Sequence, residues 1–318
     1  MCAARVAVFG EALIDLIETL PGRFEFYVGG SPFNVCRGFA RQGLVCDYLS
    51  PISCDRMGER IAAVAAAEGI HCDRVPRSRR PTSLALVTVD SDGQPSYSLY
   101  REGVADLDID SARLAAAVHP ECQLFHTGSL ALVPSMETQL RVLLSNLRSR
   151  GISISIDANL RPGVVPDNKA YLATVRGLID CADVLKVSDE DLELLGIEQP
   201  LEFCRDLVRH GTVQLVAFTE GAGGATLITS ETEVAQRAMA PSSVGDTVGA
   251  GDTFFSALLA FLLRKGGFAR GLAALSAEEL EELLTVAQWA ASINVSRKGC
   301  NPPTLAELEA ALPQALAS

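Results

Sequence analysis

The chain has no excess of positive charge: 27 lysines and arginines stand against 39 aspartates and glutamates, for a formal charge of −12. Counterion release on a polyphosphate needs a clustered basic face, which argues against nucleic acid and against an anionic membrane surface as the main partner. An anionic substrate must therefore be held by local donors. Nor is there a disulfide or zinc framework. The nine cysteines, at 2, 36, 46, 54, 72, 122, 181, 204 and 300, are scattered and form no C-x-x-C pair. They are expected as small buried hydrophobes in a reducing cytoplasm. The densest apolar run, Phe254 to Leu263, is too short to span a bilayer. Glu11 and Asp15 follow the N-terminal apolar residues too closely for a signal peptide. Among catalytic motifs, G-x-x-x-x-G-K-[ST], G-x-S-x-G, H-E-x-x-H and G-x-G-x-x-G are all missing. His119 and His126 are isolated and are read as structural. Any chemistry must run on carboxylates, backbone amides and arginines.

What is present suits a large core, with 318 residues of which 48% are hydrophobic. Short apolar runs at Val6 to Phe9, Leu124 to His126, Ile152 to Ile156, Val184 to Val187 and Leu215 to Phe218 read as buried strands. Helical stretches at Met57 to Glu68, Met136 to Arg150, Tyr171 to Cys181, Leu201 to His210 and Ala277 to Asn294 alternate with them or follow them. This rhythm predicts an α/β fold, a three-layer, mainly parallel sheet with helices on both faces. Two stretches break it. Phe24 to Val28 alternates with period two, and Thr82 to Val89 with Ser96 to Tyr100, joined through Asp90 to Gly93, reads as a hairpin. A small inserted β-sheet is expected, either a water-excluding lid or an edge extension that makes a homodimer interface. No repeat or linker divides the chain. The body is assigned to 1–12, 31–80 and 107–318, and the lid to 13–30 and 81–106.

Two glycine-bearing turns carry the chemistry. In Asp246-Thr-Val-Gly-Ala-Gly-Asp252, the free N–H groups of Gly249, Ala250 and Gly251 open an apolar helix and suit phosphate oxygens. Asp252 stands beside them as a proton acceptor, or else as an acidic residue offsetting the helix dipole. In Gly29-Gly-Ser-Pro-Phe-Asn34, paired glycines let the backbone approach a ligand. There Asn34 either caps a helix or points its amide at vicinal hydroxyls. Asp15 is a turn residue or the second half of a polyol-binding pair. Arg101 closes the hairpin, and Arg161 follows the strand ending at Ile156, where α/β proteins place ligand groups.

These two turns, in order with Tyr100-Arg-Glu-Gly-Val-Ala-Asp106, Asp157-Ala-Asn-Leu-Arg-Pro162, Lys186-Val-Ser-Asp-Glu-Asp191 and Arg297-Lys-Gly-Cys-Asn-Pro-Pro303, resemble the ribokinase-like (phosphofructokinase B type) carbohydrate kinases, fructokinase branch, over nearly the whole chain. The resemblance implies transfer of the ATP γ-phosphate to a sugar hydroxyl, with Asp252 as base and the Gly249 to Gly251 amides as anion hole. It implies a sugar site of Asp15, Gly29, Gly30, Asn34, Arg101, Asn159 and Arg161. The nucleotide would lie on Ser188, Thr219, Gly221, Gly224, Asn294, Lys298 and Gly299. Mg2+ would ride on the phosphates through water, near Asp191, and K+ would use a loop at Asp246. The family's Asn-x-x-Glu appears here as Ser188-x-x-Asp191, which loses an amide and a methylene. 2-Keto-3-deoxygluconate and ribosides are the rival substrates. A sugar-binding regulator without catalysis is the reading from another class.

Overall fold

The computed structural model describes residues 3–20, 22–89 and 95–312. In chain order its strands are β1 (Arg5–Val8), β2 (Leu13–Leu20), β3 (Arg23–Gly29), β4 (Val45–Tyr48), β5 (Ser83–Val89), β6 (Pro95–Tyr100), β7 (Cys122–Gly128), β8 (Ser153–Asp157), β9 (Val184–Ser188), β10 (Leu215–Thr219), β11 (Ala225–Ile228) and β12 (Glu233–Gln236). The helices are α1 (Ser31–Arg41), α2 (Arg56–Ala67), α3 (Ser111–Ala117), α4 (Glu137–Ser149), α5 (Asn168–Ile179), α6 (Asp189–Leu194), α7 (Pro200–His210), α8 (Ala250–Arg264), α9 (Gly267–Arg270), α10 (Ala277–Val295) and α11 (Leu305–Ala311).

The large sheet has the order β12-β11-β10-β9-β8-β7-β1-β4, parallel from β10 to β4 and antiparallel at the β11–β12 edge. Its central strands are largely apolar on both faces because each face meets helices. Val6 and Val8 of β1 enter one core, while Ala7 and the following Phe9 enter the other. Leu215 and Ala217 of β10 part from Val216 and Phe218 in the same way. The first core is closed by α1, α2, α8 and α10, and the second by α4, α5 and α7. Lying against both α1 and α10, α8 is buried from Asp252 to Leu263 and is therefore apolar almost all round. His126 sits between Phe39 and Phe255 at edge-on angles, and burial pushes its pKa down to about 3, so it is a neutral core residue.

The five strands read from the apolar runs all appear, and the five helices with them. Other strands were not read from apolar runs. In β4 the apolar run is broken by Asp47, which is buried against Arg5 at 2.9 Å. β11 and β12 form a short antiparallel edge whose outer strand is half exposed. β2 carries Asp15 and Glu18 within an otherwise apolar run.

The small sheet has the order β3-β2-β5-β6, with β2 and β5 parallel and its outer pairs antiparallel. The turn Asp90 to Gly93, read as part of a hairpin, lies outside the described residues. Leu13 and Ala85 of this sheet pack with Leu130 of the body, while Phe24, Phe26 and Tyr100 remain exposed. Among the described residues no helix is long and apolar enough to cross a membrane. Their cysteines are free.

Candidate active site

The site is built where α8 begins. Gly249 caps that helix in a left-handed conformation, φ 72°, with no side-chain cap. It must be glycine twice over, since a Cβ there would collide with Cys300. The Ala250 N–H turns back to Thr247 O at 3.2 Å. Among the described residues, the N–H groups of Gly249, Gly251 and Asp252 take no backbone partner. The open donors at the helix start are thus those three, with Ala250 used to close the turn. The loop is braced from behind. Asp246 accepts from Val248 N at 3.0 Å and Gly299 N at 3.2 Å. Asn294 donates to Val248 O at 2.9 Å and accepts from Asn301 N at 2.7 Å.

Asp252 is 7% exposed and is gripped from the opposite end of the sequence. Ser31 Oγ donates to its Oδ1 at 2.7 Å, and Asn34 Nδ2 donates to its Oδ2 at 2.9 Å across 218 positions. These bonds fix the carboxylate's plane against α1. Asn34 is not the cap that the sequence offered, because α1 already begins at Ser31 with Gly30 as its N-cap and no side-chain cap; its Oδ1 is buried without a partner, an acceptor left over for a hydroxyl. Ser31 is a site residue that motif reading does not single out. Its only signal in the sequence is its place inside the first glycine turn. Gly30, φ 106°, lies against the backbone of Glu11, where a Cβ would collide. Glu11 Oε1 in turn accepts from Ser31 N at 3.1 Å.

Asp15 lies on β2 opposite Tyr27, and its carboxylate occupies the space that a Cβ on Gly29 would need. Burial raises its pKa to about 6, with the Arg161 charge pulling it back. Arg161, in the loop after β8, is near enough for its charge to act on Asp15, and Tyr171 Oη accepts from its backbone N at 3.0 Å. Asn159 precedes it at φ 35°, a left-handed position asparagine tolerates. Arg101 is placed differently from its neighbours. It is 5% exposed, ion-paired to Asp106, and donates to Leu130 O at 2.7 Å. Its charge is spent at the end of the small sheet, against Asp106.

Of the residues expected to hold a nucleotide, Ser188 and Thr219 are register partners at the C-terminal ends of β9 and β10. Gly221 and Gly224 follow in a tight turn, and Gly224 lies against the backbone at Gln236 and Arg237. Lys298 reaches across to β3 of the small sheet, 3.4 Å from Glu25 and over the Tyr27 ring. Asp191 accepts from Leu160 N at 2.7 Å and from Ser188 N at 2.9 Å, in a capping box with Ser188. Among the described residues no three His, Cys, Asp or Glu side chains cluster as a metal site. With Asp191 committed to backbone donors, the residues fit a magnesium ion carried by a triphosphate and water better than one held by carboxylates.

The model of the pfkB family carbohydrate kinases matches residues 3–307. A fructokinase of Rhizobium leguminosarum bv. trifolii is 33% identical over 261 residues, covering 80% of this chain and 78% of its own. Fructokinase-1 of Oryza sativa subsp. japonica is 29% identical over 315 residues, 96% of this chain and 95% of its own. Among solved structures, fructokinase of Xylella fastidiosa with bound ATP superposes with a TM-score of 0.88 at 26% identity, covering 96% of this chain and 97% of that one. Fructokinase of Vibrio cholerae O395, in its fructose-, ADP- and calcium-bound form, gives 0.82 at 26%, covering 98% and 99%.

Proposed function

Because this chain belongs to the pfkB family of carbohydrate kinases, in its fructokinase branch, and is an ATP-dependent sugar kinase, we propose that its substrate is fructose, phosphorylated on the 6-hydroxyl. The observation that carries the reading is the double grip of Ser31 and Asn34 on Asp252, which puts a carboxylate, an unpartnered amide oxygen and open helix N–H groups at one point. A sugar hydroxyl meeting Asp252 would find the phosphoryl group held by the amides of Gly249, Gly251 and Asp252. Its oxygen bonds to the γ-phosphorus as the bond to the ADP oxygen breaks, and its proton passes to Asp252. Phosphoryl transfer is loose, so holding these groups in line counts for more than early proton removal. Magnesium, when bound with the nucleotide, supplies neutralisation of the phosphate oxygens. Asp246 acts as brace of the loop.

The choice of a neutral sugar rests on the arginines. Arg101 is matched by Asp106, and Arg161 lies within reach of Asp15. Arg101 is thus taken, and Asp15 already shares the field of Arg161, which disfavours the carboxylate of 2-keto-3-deoxygluconate. A coupled ADP-release assay over fructose, 2-keto-3-deoxygluconate, ribose and ribosides checks this. Fructose should lead in kcat/KM by at least about tenfold, the scale of one well-placed polar contact, and NMR of the product should place phosphate on the 6-position. Absence of fructose turnover would sink the substrate reading. The exposed Phe24, Phe26 and Tyr100 face of the lid is where we place a second copy in a homodimer. Solution scattering at working concentration that reads a monomer would remove it.

A further inference from the structure

The geometry points to Lys186 as a further catalytic residue: its ammonium, seated against the turn that opens α8, contacts the transferring phosphoryl group and neutralises its charge. This rests on the reading of that turn as the phosphoryl holder. Lys186 lies two residues before the end of β9, in register with Asp157 at the end of β8. Its Nζ stands 3.0 Å from both Asp157 oxygens, and the two side chains are 6% and 1% exposed. A Cβ added to Gly251 would lie 3.4 Å from both Cε and Nζ. The lysine tip therefore lies beside the backbone whose N–H is open.

A buried ion pair rarely repays its desolvation relative to apolar residues of the same volume. Stability alone is thus a poor reason to keep one here. An ammonium has three donors, and among the described residues Nζ has no partner besides Asp157. At least one N–H remains for an incoming oxygen. Burial works against the charge, but Asp157, Asp191 and Asp252 outweigh it and hold the lysine pKa above its ordinary value. Asp157 itself is raised to about 6 by burial, with Lys186 opposing, and is ionised at neutral pH. Lys186 keeps its proton throughout the transfer, while the hydroxyl proton goes to Asp252 and the electron pair leaves on the ADP oxygen. A compact point charge suits a migrating phosphoryl group that changes its distance to each neighbour during the reaction.

The test pairs a variant with a direct observation. Lys186→Met combined with Asp157→Asn removes both charges and leaves neither buried alone. It should keep the fold by circular dichroism and a KM for fructose within a few-fold, while kcat falls about 10²–10³-fold, the size of losing one transition-state donor. In the unaltered protein, which has four lysines, ε-13C-lysine NMR resolves the buried side chain, identified by its loss in Lys186→Arg. That signal should shift when fructose and a non-hydrolysable ATP analogue are both present. A folded double variant turning over within about threefold of the parent, or a Lys186 signal unmoved in the ternary complex, overturns the assignment. If the double variant does not fold, the NMR result decides. Loss of the parent enzyme's own turnover in the same assay would overturn the kinase reading instead, so the two failures are told apart.

Discussion

Asp252→Asn should lower kcat by about 10²–10⁴-fold, the range for losing a positioned general base, with KM for sugar and ATP moving only a few-fold. The substitution changes almost no volume at a position 7% exposed. It removes the proton acceptor, and it disturbs the grip as well, because an amide presents one acceptor where the carboxylate accepts from both Ser31 and Asn34. Ser31→Ala separates these effects. It keeps the carboxylate but frees one of its oxygens, so its loss should be about tenfold, one hydrogen bond's worth of aim. Steady-state kinetics on the two variants check the order. If Asp252→Asn keeps turnover within a few-fold of the parent, Asp252 is not the base and the helix start only holds charge.

The sequence carried the large sheet well because its strands are buried on both faces, so Val6 to Phe9 and Leu215 to Phe218 stand out as unbroken apolar runs. β4 escaped because Asp47, neutralised inside by Arg5, interrupts its pattern. The outer strand of the large sheet escaped because half of it faces water. The two glycine turns were legible since each needs its glycines for a steric reason: Gly249 against Cys300, Gly30 against Glu11. What spacing could not reveal is direction. Ser31 and Lys186 gain their places only when the chain brings α1 and β9 to the start of α8, and the burial of Arg101 against Asp106 cannot be read from either residue alone.

Glu11 supplies the second large effect, on stability. It is fully buried, its Oε2 has no partner, and burial raises its pKa from 4.5 to about 8, with Arg101 opposing and Asp106 adding to the rise. The folded protein therefore holds this proton more tightly than the unfolded chain does. The resulting stabilisation is complete below pH 4.5 and is lost as pH rises through about 8. Each tenfold gain in proton affinity is worth about 1.4 kcal/mol, so the whole change is on the order of a few kcal/mol. Glu11→Gln is the neutral isostere, and its Oε1 can still accept from Ser31 N. The variant should match the parent near pH 5 and exceed it increasingly toward pH 9, by several degrees in Tm. Comparing the two proteins at each pH cancels every other titrating group, including Asp15 and Asp157. A difference that does not grow between pH 5 and pH 9 would mean that Glu11 is ionised in the fold. Ser31 N would then be bonded to a buried carboxylate, and Arg101 would be shared between Glu11 and Asp106, tying the lid's root to the residue that aims the base.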